Sequence, residues 1–302
     1  MPAQSDQQRA ELHKTIWSIA DHLRGSVDGW DFKQYILCTL FYRFVSENLC
    51  AYLAQQEGDP SFDYASLPDD QAEWGREETV REKGFFILPS ELFCNILKRV
   101  DKDGMRLEED GQDLNELLAQ VFKNIEGSAV GTDSEGDLKG LFDDMDVNSA
   151  KLGNSVIERN KKLVTLISKI GSLDFGGAFQ DNAIDAVGDA YEFLMTMYAS
   201  NAGKSGGEFF TPQEVGELLA RIAIDGRESV NKVYDPCCGS GGLLLKFAKI
   251  LGAKNVRSGY FGQEINLTTY NLARINMFLH DVNFDKFNIA LGDTLKDPQH
   301  WD

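Results

Sequence analysis

A chain of 302 residues, 42% of them apolar, has room for about two domains of ordinary size and for a sizeable core. Its net charge of −18 makes it a poor stand-alone binder of phosphate backbone, and with no apolar run as long as about 18 residues no membrane span is expected. Five cysteines, odd in number and without C-x-x-C spacing, speak against a disulfide framework and against a zinc site.

The start, Met1-Pro2-Ala3-Gln4-Ser5-Asp6, lacks the basic-then-apolar pattern of a secretory signal. The expected compartment is the cytoplasm, with Cys38, Cys50, Cys94, Cys237 and Cys238 reduced and mostly buried. Helices are predicted over 7–24 and 31–55. In the second, Ile36, Leu40 and Phe44 form one ridge and Leu37, Phe41, Val45 and Leu49 the next, a broad apolar stripe for core packing. The break at 25–31 offers Asp31 as an N-cap. Residues 56–82, polar and acidic with Pro60 and Pro68, read as a long connection containing one short helix. An apolar extended piece at 84–90 leads to Ser90 as the cap of a helix over 91–100. The acidic stretch 101–150 reads as solvated surface around a helix at 114–125, and Asp143-Asp144-Met145-Asp146 lacks the spacing of a calcium loop. Helices resume at 155–170 and 181–200.

From residue 213 the pattern changes to alternation. A helix at 212–224 precedes a strand at 232–235, a helix at 242–251, a strand at 258–263, a helix at 267–280 and a strand at 288–292. Such alternation predicts a doubly wound parallel sheet, α/β and Rossmann-like, whose ligand lies beyond the carboxyl ends of the strands. The charge changes at nearly the same place: residues 1–200 carry 19 Lys and Arg against 36 Asp and Glu, and residues 201–302 carry 11 against 12. The expected organisation is an acidic helical domain over 1–180 followed by a ligand-binding domain over 181–302.

The turn Cys238-Gly239-Ser240-Gly241-Gly242 lets a ligand approach the backbone closely. The next strand ends in Glu264, 29 residues after Asp235, where a carboxylate can accept hydrogen bonds from both ribose hydroxyls. Asp293 comes after a further 29 residues, placed to accept from an adenine amino group. Three carboxylates at strand ends, with no Lys in the turn, suit a cationic adenosine ligand, S-adenosylmethionine, better than a triphosphate. A dinucleotide site would need G-x-G-x-x-G and a closer acid.

With Gly206-Gly207-Glu208-Phe209-Phe210-Thr211-Pro212 ahead of Asp235-Pro236-Cys237-Cys238-Gly239-Ser240-Gly241-Gly242, residues 181–293 resemble the adenine-N6 DNA methyltransferases. Through Gly188-Asp189-Ala190-Tyr191-Glu192-Phe193-Leu194 and Trp30-Asp31-Phe32-Lys33-Gln34-Tyr35-Ile36-Leu37 the chain is similar, more narrowly, to the modification subunit of type I restriction-modification systems. The resemblance implies that Glu208, Phe209, Phe210, Thr211, Pro212 and Gln213 surround the methionine end of S-adenosylmethionine. It also implies that Asp235, Gly239, Ser240, Gly241 and Gly242 form its main turn, that Glu264 holds the ribose and that Asp293 holds the adenine. Cys237 and Cys238 stand where the family more often has Ala, and packing is their expected role.

The family's catalytic Asn-Pro-Pro, which would hold the flipped adenine, does not occur in the 302 residues. No catalytic and no metal-binding residue is therefore assigned, and the methyltransferase domain is expected to be incomplete. On this reading the chain is part of a site-specific DNA adenine-N6 methylase subunit. Its partners would be DNA gripped through a specificity subunit, a second modification subunit and a restriction subunit. By itself it would bind cofactor weakly or not at all and transfer no methyl group. Two readings stand beside it: a non-catalytic assembly or regulatory module, and a related protein or RNA methyltransferase, against which the long segment carrying Trp30–Leu37 speaks.

Overall fold

The computed structural model describes residues 13–14, 31–59, 61–100, 113–173, 188, 190–195 and 211–300. Most of the helices expected at 7–24 and 181–200, and Glu208, Phe209 and Phe210 with the glycines before them, lie outside these residues. The chain divides into two compact units, Met1–Ala190 and Tyr191–Asp302. No helix among the described residues is long and apolar enough to cross a membrane.

The first unit is built on α1 (Asp31–Glu57). The sequence predicts one apolar stripe there, but every residue from Tyr35 to Tyr42 is buried. A helix buried all round must satisfy its polar side chains internally. Thr39 Oγ1 donates to the Tyr35 carbonyl at 2.7 Å, Tyr35 Oη to the Asp146 carbonyl at 2.7 Å, and Tyr42 Oη to the Glu91 carbonyl. Ser46 Oγ accepts from the Phe93 amide at 3.1 Å. Around α1 pack α2 (Arg76–Lys83), α3 (Phe93–Arg99), α4 (Leu114–Gly127) and α5 (Val156–Gly171). Phe122 of α4 stacks on Phe142 with centroids 4.5 Å apart and meets Tyr42 edge-on at 5.5 Å, both preferred aromatic geometries. Ser155 and Glu158 close a capping box at the start of α5, and Arg43 Nη1 caps its other end through the Ile170 and Leu173 carbonyls at 2.6 and 2.9 Å.

Three expectations for this unit are corrected. Residues 56–82 hold a succession of helical turns, at Tyr64–Ser66, Asp69–Ala72, Glu73–Gly75 and α2, rather than one short helix. Ser90 is not a helix cap. It sits in the turn Pro89–Glu91, where both its amide and its hydroxyl donate to the Asp69 carboxylate, at 2.9 and 2.6 Å; α3 starts after Leu92 with no side-chain cap. The stretch 113–150 is also more than solvated surface, since Leu138, Leu141, Phe142, Met145 and Val147 are core residues. Its acidic side chains are exposed or half-buried, Glu126 accepting the Gly140 and Phe142 amides, while the apolar residues between them turn inward, a division that composition alone conceals.

In the second unit α6 (Gln213–Ile224) precedes β1 (Val230–Asp235), α7 (Gly242–Leu251), β2 (Val256–Glu264), α8 (Leu267–Leu279) and β3 (Phe287–Leu291). The strands run parallel in the order β1-β2-β3, one winding of a Rossmann-like sheet. Register brings Val233, Tyr260 and Phe287 side by side, and all three are buried. The alternate residues of β1 and β2 carry Lys232, Tyr234 and Phe261, with the Lys232 ammonium 5.0 Å above the Phe261 ring and His300 edge-on to both aromatic rings. Gly259 is obligatory in β2: at φ +104° an added Cβ would lie 2.0 Å from the Lys286 carbonyl oxygen.

Candidate cofactor site

Parallel strands bring their carboxyl ends to one edge of the sheet, and hydrogen bonds tie the three connections there together. The Cys238 amide donates to the Gln263 carbonyl at 3.0 Å and the Gly292 amide to the Glu264 carbonyl at 2.9 Å. Thr294 Oγ1 donates to the Pro236 carbonyl, so the connection after β3 reaches the one after β1. Buried Gln263 anchors the segment beyond Thr294: its Nε2 donates to the Asp297 carbonyl at 2.9 Å and its Oε1 accepts from the Gln299 amide at 3.1 Å.

The carboxylates occupy this edge in different states. Asp235 ends β1 and accepts from the Cys237 amide at 3.0 Å. Burial, reinforced by the charge of Glu264, raises its pKa above the ordinary carboxylate value. Glu264 ends β2 and shapes the turn, accepting from the Gly239 amide at 3.1 Å and the Asn266 amide at 2.8 Å. Asp293 stands two residues beyond β3, where the Leu295 amide at 3.0 Å and Lys296 Nζ at 3.3 Å hold its pKa below the usual range. The turn itself depends on Gly241, at φ +78°, which lets the chain reverse into the first turn of α7 and leaves that helix's first amides open.

A cavity of about 100 Å³ opens beside the turn. Of the residues singled out from sequence, Asp235, Gly239, Ser240, Gly242, Thr211 and Gln213 line it, whereas Pro212, Gly241, Glu264 and Asp293 do not. Cys238 is buried against Gly262, but Cys237 is exposed on the cavity wall, which corrects the expectation that both thiols pack inside. Among the described residues no cluster of His, Cys, Asp or Glu could hold a metal ion.

Among the lining residues not singled out as site residues are Tyr191, Glu192, Lys246 and Asn276, which bring polar side chains to the cavity. Tyr191 Oη donates to the Leu272 carbonyl at 2.8 Å, fixing its helical segment on α8. The signal for the last two is a polar residue inside an apolar helical run, Leu245-Lys246-Phe247 in α7 and Ile275-Asn276-Met277 in α8. Such residues need a polar partner or a polar cavity.

The family model for the HsdM N-terminal domain matches residues 12–170, and that for N-6 DNA Methylase matches residues 182–302. The chain is 48% identical to the type I restriction enzyme MpnII methylase subunit of Mycoplasma pneumoniae, covering 98% of this chain and 54% of that protein. It is 27% identical to the HindI methylase subunit of Haemophilus influenzae, covering 70% and 41%. Among solved structures, a type I restriction-modification methyltransferase subunit from Streptococcus thermophilus superposes with a TM-score of 0.79 at 32% identity, over 97% of this chain and 60% of that one. The chain thus spans about half the length of the relatives it matches.

Proposed function

This chain belongs to the family of methylase subunits of type I restriction enzymes, and on that premise we propose that it carries the S-adenosylmethionine site of a DNA adenine-N6 methylase. The observation that carries the reading is the cavity beside the turn after β1, with Asp235 on its wall and Glu264 holding its backbone. The residues present fit the cofactor. Asp235 is an acid held in a partly desolvated place where a nearby cation would favour its charged form, and buried acceptors without partners line the same cavity. When bound, the cofactor supplies an electrophilic sulfonium methyl group.

In this proposal Thr211 and Gln213, with Glu208, Phe209, Phe210 and Pro212, surround the methionine end. Gly239, Ser240, Gly241 and Gly242 present backbone, and Asp235 faces the positive charge. Glu264 keeps lone pairs for the ribose hydroxyls after accepting two amides. Asp293 stays ionised at neutral pH and available to the adenine amino group. Ile265 and Leu291, exposed at the same strand ends, would flank the base. DNA recognition is assigned to a specificity subunit, since a chain of charge −18 repels phosphate, and assembly with further modification and restriction subunits in the cytoplasm belongs to the same reading.

Calorimetric titration of the chain with S-adenosylhomocysteine tests the cofactor site. Sequence alone predicts weak or no binding by this chain; because every residue lining the cavity lies within it, between Tyr191 and Asn276, we expect measurable binding instead, weakened at least about tenfold by Asp235→Asn or Glu264→Ala. Unchanged affinity in both variants would overturn the assignment. Methyl transfer to adenine is expected only when the specificity subunit and an Asn-Pro-Pro segment are supplied.

A further inference from the structure

Buried polar atoms without hydrogen-bond partners are uncommon because they are costly, and two in one cavity point to a ligand. Asn276, 2% exposed, donates through Nδ2 to the Ser240 carbonyl at 2.8 Å, which fixes the direction of its amide and leaves Oδ1 buried without a partner. Gln213, in the first turn of α6, lines the same cavity with a buried, unpartnered Oε1. A cation completes the set. Lys246 lies one turn into α7, its stem passing Gly216 of α6, where an added Cβ would come within 3.6 Å of Lys246 Cγ. Its ammonium is 3.7 Å from Glu192 Oε1, too long for a direct hydrogen bond, and Glu192 Oε1 is in turn 3.9 Å from His280 Nε2.

Two acceptors awaiting donors and one ammonium within reach of an anion are the complement of a zwitterion. A substituted α-amino acid presents that arrangement, three N–H donors and a carboxylate on one carbon. The open amides at the start of α7 add to the attraction for the carboxylate.

We propose that Lys246, Asn276 and Gln213 form a subsite for the α-amino-acid end of the cofactor, with Lys246 reading the carboxylate and the two amide oxygens the ammonium. The inference rests on the cofactor reading above and adds a specificity to it: the chain selects the zwitterionic sulfonium over forms that lack the carboxylate. Glu192 is a positioning residue, holding the lysine head toward the cavity without consuming it in a close hydrogen bond.

The test titrates the chain with three compounds: S-adenosylmethionine, its decarboxylated form, and 5′-methylthioadenosine, which lacks the whole amino acid. The unaltered chain should prefer the carboxylated sulfonium over the decarboxylated one by about tenfold, the worth of one charge-assisted contact. Lys246→Met should erase that preference by weakening S-adenosylmethionine alone, and Lys246→Arg should keep much of it. Gln213→Met should weaken both amine-bearing compounds and spare methylthioadenosine. A preference that survives Lys246→Met, or a loss shared equally by all three compounds, overturns the subsite, the second outcome marking Lys246 as structural. Failure of the unaltered chain to bind any of the three would instead refute the cofactor reading itself.

Discussion

The two units treat buried polarity in opposite ways. In the first, the buried hydroxyls of α1, on Tyr35, Thr39, Tyr42 and Ser46, reach carbonyls or an amide, and aromatic rings from α1, α3 and α4 close around them. That unit has buried atoms without partners too, Asn115 Oδ1 and Arg159 Nε, but neither lines its groove beside Cys50 and Cys94. In the second unit Tyr260 Oη is likewise buried without a partner, but two such atoms, Gln213 Oε1 and Asn276 Oδ1, share one cavity, and α6 turns its small residues Gly216 and Ala220 inward while Val215, Leu218, Leu219 and Ile222 stay exposed. The lesson is that the first unit uses its residues to hold a shape, and the second leaves interactions unmade for something to complete.

The largest test of that contrast is Gly259→Ala. A Cβ 2.0 Å from a carbonyl oxygen cannot be relieved by a side-chain rotation, so β2 and β3 must separate, with a loss beyond about 4 kcal/mol. Hydrogen exchange across 230–291 should collapse; normal protection would mean the strands pair in another way. Next comes Phe122→Ala, which removes a ring packed on both Phe142 and Tyr42 and should cost the first unit about 3–5 kcal/mol in chemical denaturation.

Asp235→Asn sharpens the comparison further, because it should move stability and binding in opposite directions. A carboxylate whose folded pKa lies above its unfolded value destabilises the folded state once pH exceeds the unfolded value, and does so fully above the folded one. The Asn variant should therefore melt at a higher temperature than the unaltered chain at neutral pH, with the difference fading in acid below the ordinary carboxylate range, while cofactor affinity drops about tenfold. A lower melting temperature at neutral pH would show that the charge of Asp235 stabilises the fold. Ser155→Ala breaks the capping box of α5 and should cost about 1 kcal/mol, read as a small shift in urea midpoint at unchanged slope. The smallest effect belongs to Asp293→Asn. Its depressed pKa marks a stabilising contribution present above the ordinary carboxylate value and lost as pH falls through the folded one. A slight loss of thermal stability near neutrality, absent in strong acid and reduced by salt through the exposed Lys296, is expected.

Elements with strong periodicity were readable from sequence almost residue by residue. The helix at 242–251 has the expected bounds, and the strands differ from expectation by a residue or two at their ends, where hydrogen bonding to a neighbour rather than composition decides the boundary. Local rules failed where a distant residue competed. Ser90 has the right chemistry for a cap, yet Asp69, 21 positions earlier, takes both of its donors. Lys246 stands out in sequence only as a polar residue in the apolar run of α7, and its surroundings come from Gly216 and Glu192, 30 and 54 positions earlier.

Sequence by itself determined the order of elements, the parallel sheet and the acids at its carboxyl edge, because periodicity, glycine turns and strand ends are local properties of the chain. Only the tertiary structure decided what those acids do. It turned the Glu264 carboxylate onto the amides of Gly239 and Asn266, gave Asp293 to Lys296, and left Asp235 with a desolvated face on the cavity. The reason is physical: the state of a charged or polar group depends on which donors, charges and solvent surround it, and residues far apart in the chain supply those.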